Sequence, residues 1–203
     1  MAERRPRKTD EERRADKAVV DDPDVVLAAA ARFLEARPRS IAEVRRQLTR
    51  AGYRAELVDG AIGRLTELGM LDDVAFAAAW VESRDRAHPR GEHALIIELR
   101  QKGIDASIIT ATLRARREAA VRWEDAPPSG PPGAAEATVD DPDMLAARKL
   151  LDRNARALGR EPVPRLRRQK AYALLARNGF DPDVCREVST AWVRESIAAA
   201  EVE

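Results

Sequence analysis

Three times along the chain a stretch with helical periodicity ends in glycine, is followed at once by a bulky apolar residue, and gives way to a second helical pattern. The glycines are Gly52, Gly103 and Gly179. Four residues before them stand Leu48, Leu99 and Leu175, and eight before stand Val44, Leu95 and Ala171, two positions on one helix face. One residue after come Tyr53, Ile104 and Phe180; five and six after come Leu57 and Val58, Ile108 and Ile109, Val184 and Cys185. A glycine just past a periodic helix is the usual left-handed C-terminal cap, and an apolar residue after it folds back onto the helix it closes. Each unit is thus two helices joined by a tight turn, and the helix before each pair makes it a three-helix unit. Units of this kind bury a continuous core by stacking, so the expected fold is an all-α array of three tandem repeats.

The first two glycines lie about 50 residues apart and the last two about 75, which places an insertion of about 25 residues before the third unit. It is visible as EDAPPSGPPGAAEATVDD, Glu124 to Asp141, where four prolines flank Ser129, Gly130 and Gly133. Such a segment has almost nothing to bury and reads as a flexible linker. The expected organisation is a charged flexible tail over 1–21, repeat 1 over 22–71, repeat 2 over 72–123, the linker over 124–141, and repeat 3 over 142–203.

Local signals place the helices. Asp22-Pro23 opens the first, with Val26, Ala29, Ala30 and Phe33 as its apolar stripe. Ser40 and Glu43 form a capping box before Ile41, Val44 and Leu48. The next helix runs from about Arg54 to Leu68 with Val58, Ile62 and Leu65 inward; Gly60 and Gly63 inside it either permit close helix contact or are tolerated weak spots. Asp72-Asp73 caps a helix bearing Val74, Phe76, Ala77, Trp80 and Val81, and Asp105 caps another from Ala106. Pro142 opens a helix through Leu145, Leu150 and Leu151, and Asp181-Pro182 opens the last, with Val184, Val188 and Trp192 inward.

Aromatics make up only 4% of residues, which suits packed helices rather than sheets. The net charge of +1 argues against a uniformly basic nucleic-acid coat, but it conceals a gradient. Met144 to Asn178 carries ten cations against two acids, whereas Phe180 to Glu203 carries six acids and two arginines. The start of the chain lacks the apolar run of a signal peptide, and no segment approaches the roughly 20 apolar residues of a membrane helix, so a soluble cytoplasmic protein is expected. Cys185 is the sole cysteine, which leaves no internal disulfide, and its repeat column makes it a packed small hydrophobe. His88 and His93 stand in no metal-ligand cluster, and no phosphate loop, nucleophile elbow or HExxH is present. Neither a metal, a cofactor nor a catalytic residue is expected.

The blocks GMLDDVAFAAAWVESR (Gly69 to Arg84) and HPRGEHALIIELRQKGI (His88 to Ile104) resemble the RecX family, bacterial regulators of the recombinase RecA. A Leu-Asp-Asp turn, a Phe-Ala-x-x-Trp-Val helix, a glycine after a basic loop and Glu-Leu-Arg-x-Lys-Gly-Ile carry the resemblance. LEARPRSIAEVRRQLTRAGY is similar to the family's opening repeat, and LLARNGFDPDV carries it into the third unit. Glu92 and His93 stand where relatives often hold basic residues.

The resemblance implies three three-helix repeats in an elongated, curved array. It implies a monomeric, non-enzymatic modulator, mainly an inhibitor, that binds the RecA filament on single-stranded DNA along its groove, touching the DNA indirectly or weakly. ATP hydrolysis, strand exchange and co-protease activity would fall, placing the chain in homologous recombination, DNA repair and the SOS response. Candidate contacts are Arg84, Arg86 and Arg90 around a loop, Arg100 and Lys102 at a helix end, and Arg148, Lys149, Arg165, Arg167, Arg168 and Lys170 in the basic stretch. Helix-dipole compensation and ordinary solvated faces explain such cations equally well. Trp80 and Trp192 fall at inward positions, and Trp123 is a candidate for base stacking. The alternative is a direct DNA-binding, helix-turn-helix-like regulator, although the second helices begin RAELVDG, DASIITA and DPDVCRE, acidic and apolar starts that suit base reading poorly.

Overall fold

The computed structural model describes residues 9–124 and 141–200, with side chains over 9–119 and 141–199. Residues 1–8 of the expected tail, nearly all of the expected linker and the Trp123 side chain lie outside the described residues.

Every element among the described residues is a helix: α1 (Asp10–Ala18), α2 (Pro23–Glu35), α3 (Ile41–Ala51), α4 (Ala55–Glu67), α5 (Asp73–Ala87), α6 (Glu92–Lys102), α7 (Ala106–Glu124), α8 (Pro142–Arg153), α9 (Ala155–Leu158), α10 (Pro164–Arg177) and α11 (Pro182–Ala200). Three-helix repeats follow as α2-α3-α4, α5-α6-α7 and α8-α10-α11, with α9 a single turn inside the last. The described chain divides into two compact units. One comprises the residues up to Phe76 together with Lys102–Ile104; the other comprises Ala77–Gln101 and the residues from Asp105 onward.

Capping chemistry sets the ends. The Asp22 side chain accepts the amide of Asp24, with Pro23 at the first helical position of α2, and Asp141 does the same for Asp143 in α8. Ser40 and Glu43 satisfy each other's backbone amides at the start of α3. Gly52, Gly103 and Gly179 close α3, α6 and α10 at φ values of 101°, 79° and 79°, the left-handed region that glycine enters without a Cβ penalty.

The repeat columns are the core. Leu48, Leu99 and Leu175 are buried, as are Val44, Leu95 and Ala171 one turn earlier and Tyr53, Ile104 and Phe180 after the turns. Val58, Ile109 and Cys185 complete the set. In the first unit Val26, Ala30, Val44, Leu48, Val58, Ala61, Ile62, Leu65 and Leu71 form one cluster. In the second, Ala146, Ala147, Leu151, Ala171, Leu175, Phe180, Cys185, Val188, Trp192 and Val193 form another. Full burial of a side chain of this size stabilises by about 1.5–3 kcal/mol relative to exposure. These columns therefore carry most of what holds each repeat.

Four expectations change. Residues 10–18, read as part of a flexible tail, form α1, because Thr9 and Glu12 make a reciprocal capping box and three acids fill the first turn. Val74 and Leu145, named among the apolar residues of their helices, are 59% and 49% exposed, since each lies in the first turn of its helix where the chain has only begun to meet the core. Trp80 is half-buried rather than core: its indole Nε1 donates to Glu98 Oε2 at 2.8 Å, and that polar handle holds the ring at the surface. At Gly60 and Gly63 nothing lies within 4 Å of an added Cβ, so of the two readings the structure takes the tolerated weak spot.

Candidate interaction surface

The candidate cations separate into those the fold uses and those it leaves to solvent. In the second unit Arg84 lies over the Trp80 ring, 4.4 Å from its centroid, and its Nε is 2.6 Å from Glu98 Oε2. Arg90 meets the same carboxylate at 3.4 Å and donates to Asn178 Oδ1. Glu98 thus gathers Trp80, Arg84 and Arg90 onto one acceptor. Arg86 pairs with Glu82 one turn back on α5, in an exposed contact of small energetic value. Arg148 pairs with Glu195, and Lys149 Nζ donates to the Asp85 carbonyl at 2.7 Å. Lys149 and Arg153, which bonds the Arg86 and Ala87 carbonyls, therefore satisfy the open C-terminal end of α5.

In the first unit Lys102 Nζ sits 2.8 Å from Glu43 Oε1, and Arg37 reaches the same carboxylate at 3.2 Å. Burial works against ionisation here, yet hydrogen bonds and charge from Lys102 and Arg37 bring the Glu43 carboxyl down to about 2. The folded value lies below the unfolded one, so this contribution is present above about pH 4.5 and is lost as pH falls through about 2. Urea unfolding at stepped pH should show the acid loss, about 3 kcal/mol at most, and Glu43→Gln should flatten it.

On α10, Arg167 Nε donates to the Glu161 carbonyl at 3.0 Å and Lys170 pairs with the Glu161 carboxylate at 2.6 Å. That leaves Arg100, Arg165 and Arg168 exposed, with no hydrogen bond or ion pair among the described residues. Arg156 and Arg160 on the preceding turn are in the same state. Val163 and Leu166, 46% and 44% exposed, stand beside them in sequence. The densest unpaired positive charge therefore lies from Arg156 to Arg168, and it is interleaved with uncovered apolar surface. Leu166, set inside the basic run, is the sequence signal that this surface offers more than charge.

The cluster that sequence reading missed is internal. Arg116 on α7, its side chain 7% exposed, bonds Asp85 of α5 at 2.8 Å and Asp143 of α8 at 2.6 Å. Asp143, 8% exposed, also accepts the Glu92 amide at the start of α6 at 2.9 Å. Burial pushes its carboxyl above the ordinary range, against the opposing pull of Arg116 and the Glu92 amide. The available signal was spacing: Arg116 follows the buried Leu113 by three residues and so shares its face.

No group of histidine, cysteine and carboxylate side chains among the described residues could hold a metal. No helix among them is long and apolar enough to cross a membrane.

Fold and surface together define a class: an all-α protein of tandem three-helix repeats whose exposed cations differ from repeat to repeat while its core columns stay apolar and buried. The RecX first three-helix domain matches residues 27–65 and the RecX second three-helix domain residues 72–113. Regulatory protein RecX of Mycobacterium ulcerans is 34% identical over 161 residues, 79% of this chain and 80% of that protein. The chain belongs to the RecX family of regulatory proteins. Regulatory protein RecX of Mycolicibacterium smegmatis is 43% identical over 82 residues, 40% of this chain and 44% of that protein. Among solved structures, RecX from Lactobacillus salivarius has a TM-score of 0.63 at 18% identity, covering 84% of this chain and 96% of its own. At that identity the likeness concerns the fold.

Proposed function

We propose that this chain is a non-enzymatic regulator of the RecA recombinase, acting as a cytoplasmic monomer that binds the RecA filament on single-stranded DNA along its groove. The observation that carries the reading is family membership over four-fifths of the chain. A series of helical repeats suits such a target, because several weak contacts on neighbouring protomers add through high effective concentration. Arg100, Arg165 and Arg168 are the contacts of choice, since no intramolecular acid among the described residues competes for them. Arg84, Arg90, Lys102, Lys149 and Arg167 take supporting roles, positioning the helices that present the free cations. Reduced ATP hydrolysis, strand exchange and co-protease activity follow from occupying the groove.

The direct DNA-reading alternative is disfavoured by the starts of α7 and α11. There the Asp105 and Asp181 side chains cap the helices through Ser107 and Asp183, placing carboxylates where a recognition helix would approach bases. The test is single-strand-dependent RecA ATPase titrated with this protein. Inhibition at substoichiometric protein is expected, and Arg165→Glu with Arg168→Glu should raise the half-inhibitory concentration about tenfold or more. An unchanged ATPase together with no co-sedimentation on filaments would sink the proposal.

A further inference from the structure

Two joints in the molecule share one construction. In the first unit the start of α3 is seated by residues of the following repeat: Asp73 accepts the Ile41 amide at 2.9 Å, and Ser40 Oγ donates to the Lys102 carbonyl at 2.6 Å. Ala42 Cβ lies 2.4 Å from where a Cβ on Gly103 would stand. In the second unit the start of α6 is seated in the same way. Asp143 accepts the Glu92 amide at 2.9 Å, the Gly91 amide donates to the Asn178 carbonyl at 3.1 Å, and Ala94 Cβ comes within 2.5 Å of a Cβ on Gly179. Each acceptor thus offers a carboxylate from a first helix, a carbonyl at the end of a second helix, and a bare glycine turn. All three complement the amide-rich, positive start of another helix.

Repeat 1 carries the same acceptor features, and the described element that precedes it is α1. Asp24, in the first turn of α2, is exposed, and its carboxylate makes no hydrogen bond or ion pair among the described residues. The turn glycine is Gly52, and α1 occupies it. Arg14 O and Cα lie 2.7 and 3.0 Å from where a Gly52 Cβ would stand, and Arg14 Nε donates to the Arg50 carbonyl at 3.2 Å. A cation in α1 thus reaches the same kind of helix end that a serine hydroxyl or a glycine amide reaches in the two joints, one carbonyl earlier: Arg50 stands two residues before Gly52, whereas Lys102 and Asn178 stand immediately before Gly103 and Gly179. No residue of α1 is buried, and Lys17 Nζ lies 5.0 Å from the centre of the Tyr53 ring.

We infer that the leading face of repeat 1 is a docking site for the N-terminus of an α-helix from a partner protein, and that α1 is a strap covering this site in the free chain. The partner helix carries serine or glycine at its cap and alanine in its first turn, the chemistry that the two joints accept. A second copy of this chain does not supply it. The starts of α3 and α6 are already seated, and α10 begins with Pro164, which has no amide hydrogen to give to Asp24. Nine and ten residues before Gly179, where the joints place alanine, α10 has Lys170 and Gln169. The inference does not depend on the identity of the recombinase target.

The probe is a peptide of residues 39–52, held helical by a staple on its exposed face, its binding followed by fluorescence anisotropy. It should bind the chain lacking residues 1–18 at least about tenfold more tightly than the full chain, and Asp24→Asn in the shortened chain should remove most of that gain. Equal binding to both chains, no binding to the shortened chain, or indifference to Asp24→Asn overturns the inference. Should circular dichroism show the shortened chain unfolded, Arg14→Ala with Lys17→Ala in the full chain takes its place, and the same three outcomes decide. RecA inhibition is a separate readout, so failure here leaves the function proposed above standing.

Discussion

Replacing Gly91 by alanine is expected to destabilise the second unit by about 3 kcal/mol, toward the upper end for a small-to-large change in a packed site. A Cβ at Gly91 would meet the Gly179 carbonyl oxygen at 2.2 Å, the Gly179 carbonyl carbon at 2.4 Å and Phe180 Cα at 2.4 Å. All three are backbone atoms, so no rotamer change relieves the clash. Moving α6 away would also break the bond from the Gly91 amide to the Asn178 carbonyl and the Glu92 amide's bond to Asp143. Each group left buried without its partner adds about 1–3 kcal/mol. Thermal unfolding should show a lowered or split transition, and amide exchange should rise at the α6 start and around Gly179. A variant that unfolds like the parent would show that this approach is looser than described.

Arg116→Met should have the other large effect. The substitution removes the cation that faces both Asp85 and Asp143, leaving buried Asp143 with the Glu92 amide as its remaining partner among the described residues. Breaking a buried pair in this way costs about 3–5 kcal/mol, because the remaining charge keeps its desolvation penalty without compensation. In a chain of this length the midpoint of thermal unfolding should fall by roughly 10 °C. The sign of the pH dependence follows from Asp143, whose folded carboxyl already sits above its ordinary value. A carboxyl raised in the folded state favours folding at low pH, and that advantage is lost as pH rises through the folded value. The deficit of Arg116→Met should therefore be largest near neutrality and shrink on acidification. Adding Asp143→Asn, which keeps an acceptor for the Glu92 amide, should recover part of the loss; equal instability at all pH values would point to lost packing instead.

The parts of this molecule legible in the sequence are those set by local chemistry. Leu48, Leu99 and Leu175 announce their burial through spacing from a glycine, and Ser40 with Glu43 announces a helix start within four residues. Thr9 with Glu12 carries the same signature ahead of α1, but no apolar stripe follows it, and a helix that buries nothing leaves no periodicity to read. The joints were illegible for a different reason. Ile41 and Asp73 are 32 residues apart, and Glu92 and Asp143 are 51 apart, so neither partner marks the other along the chain. The candidate cations show both sides: composition locates the basic stretch, yet only the fold separates Arg165 and Arg168, which face solvent, from Arg167 and Lys170, which serve Glu161.

The two joints also differ where they are most alike. Ser40 makes the contact to the Lys102 carbonyl through its side chain, whereas Gly91 makes the corresponding contact to Asn178 through its backbone, at a spot with no room for one more carbon. A serine at the second joint collides, and a glycine at the first has no hydroxyl to offer. Tandem repeats of similar sequence are prone to pairing with the wrong neighbour as they fold, or with the same repeat of another chain. The second seat rejects a serine start by collision, whereas the first loses only one hydrogen bond to a glycine start, so the order of the repeats is favoured by a one-sided key at the second joint.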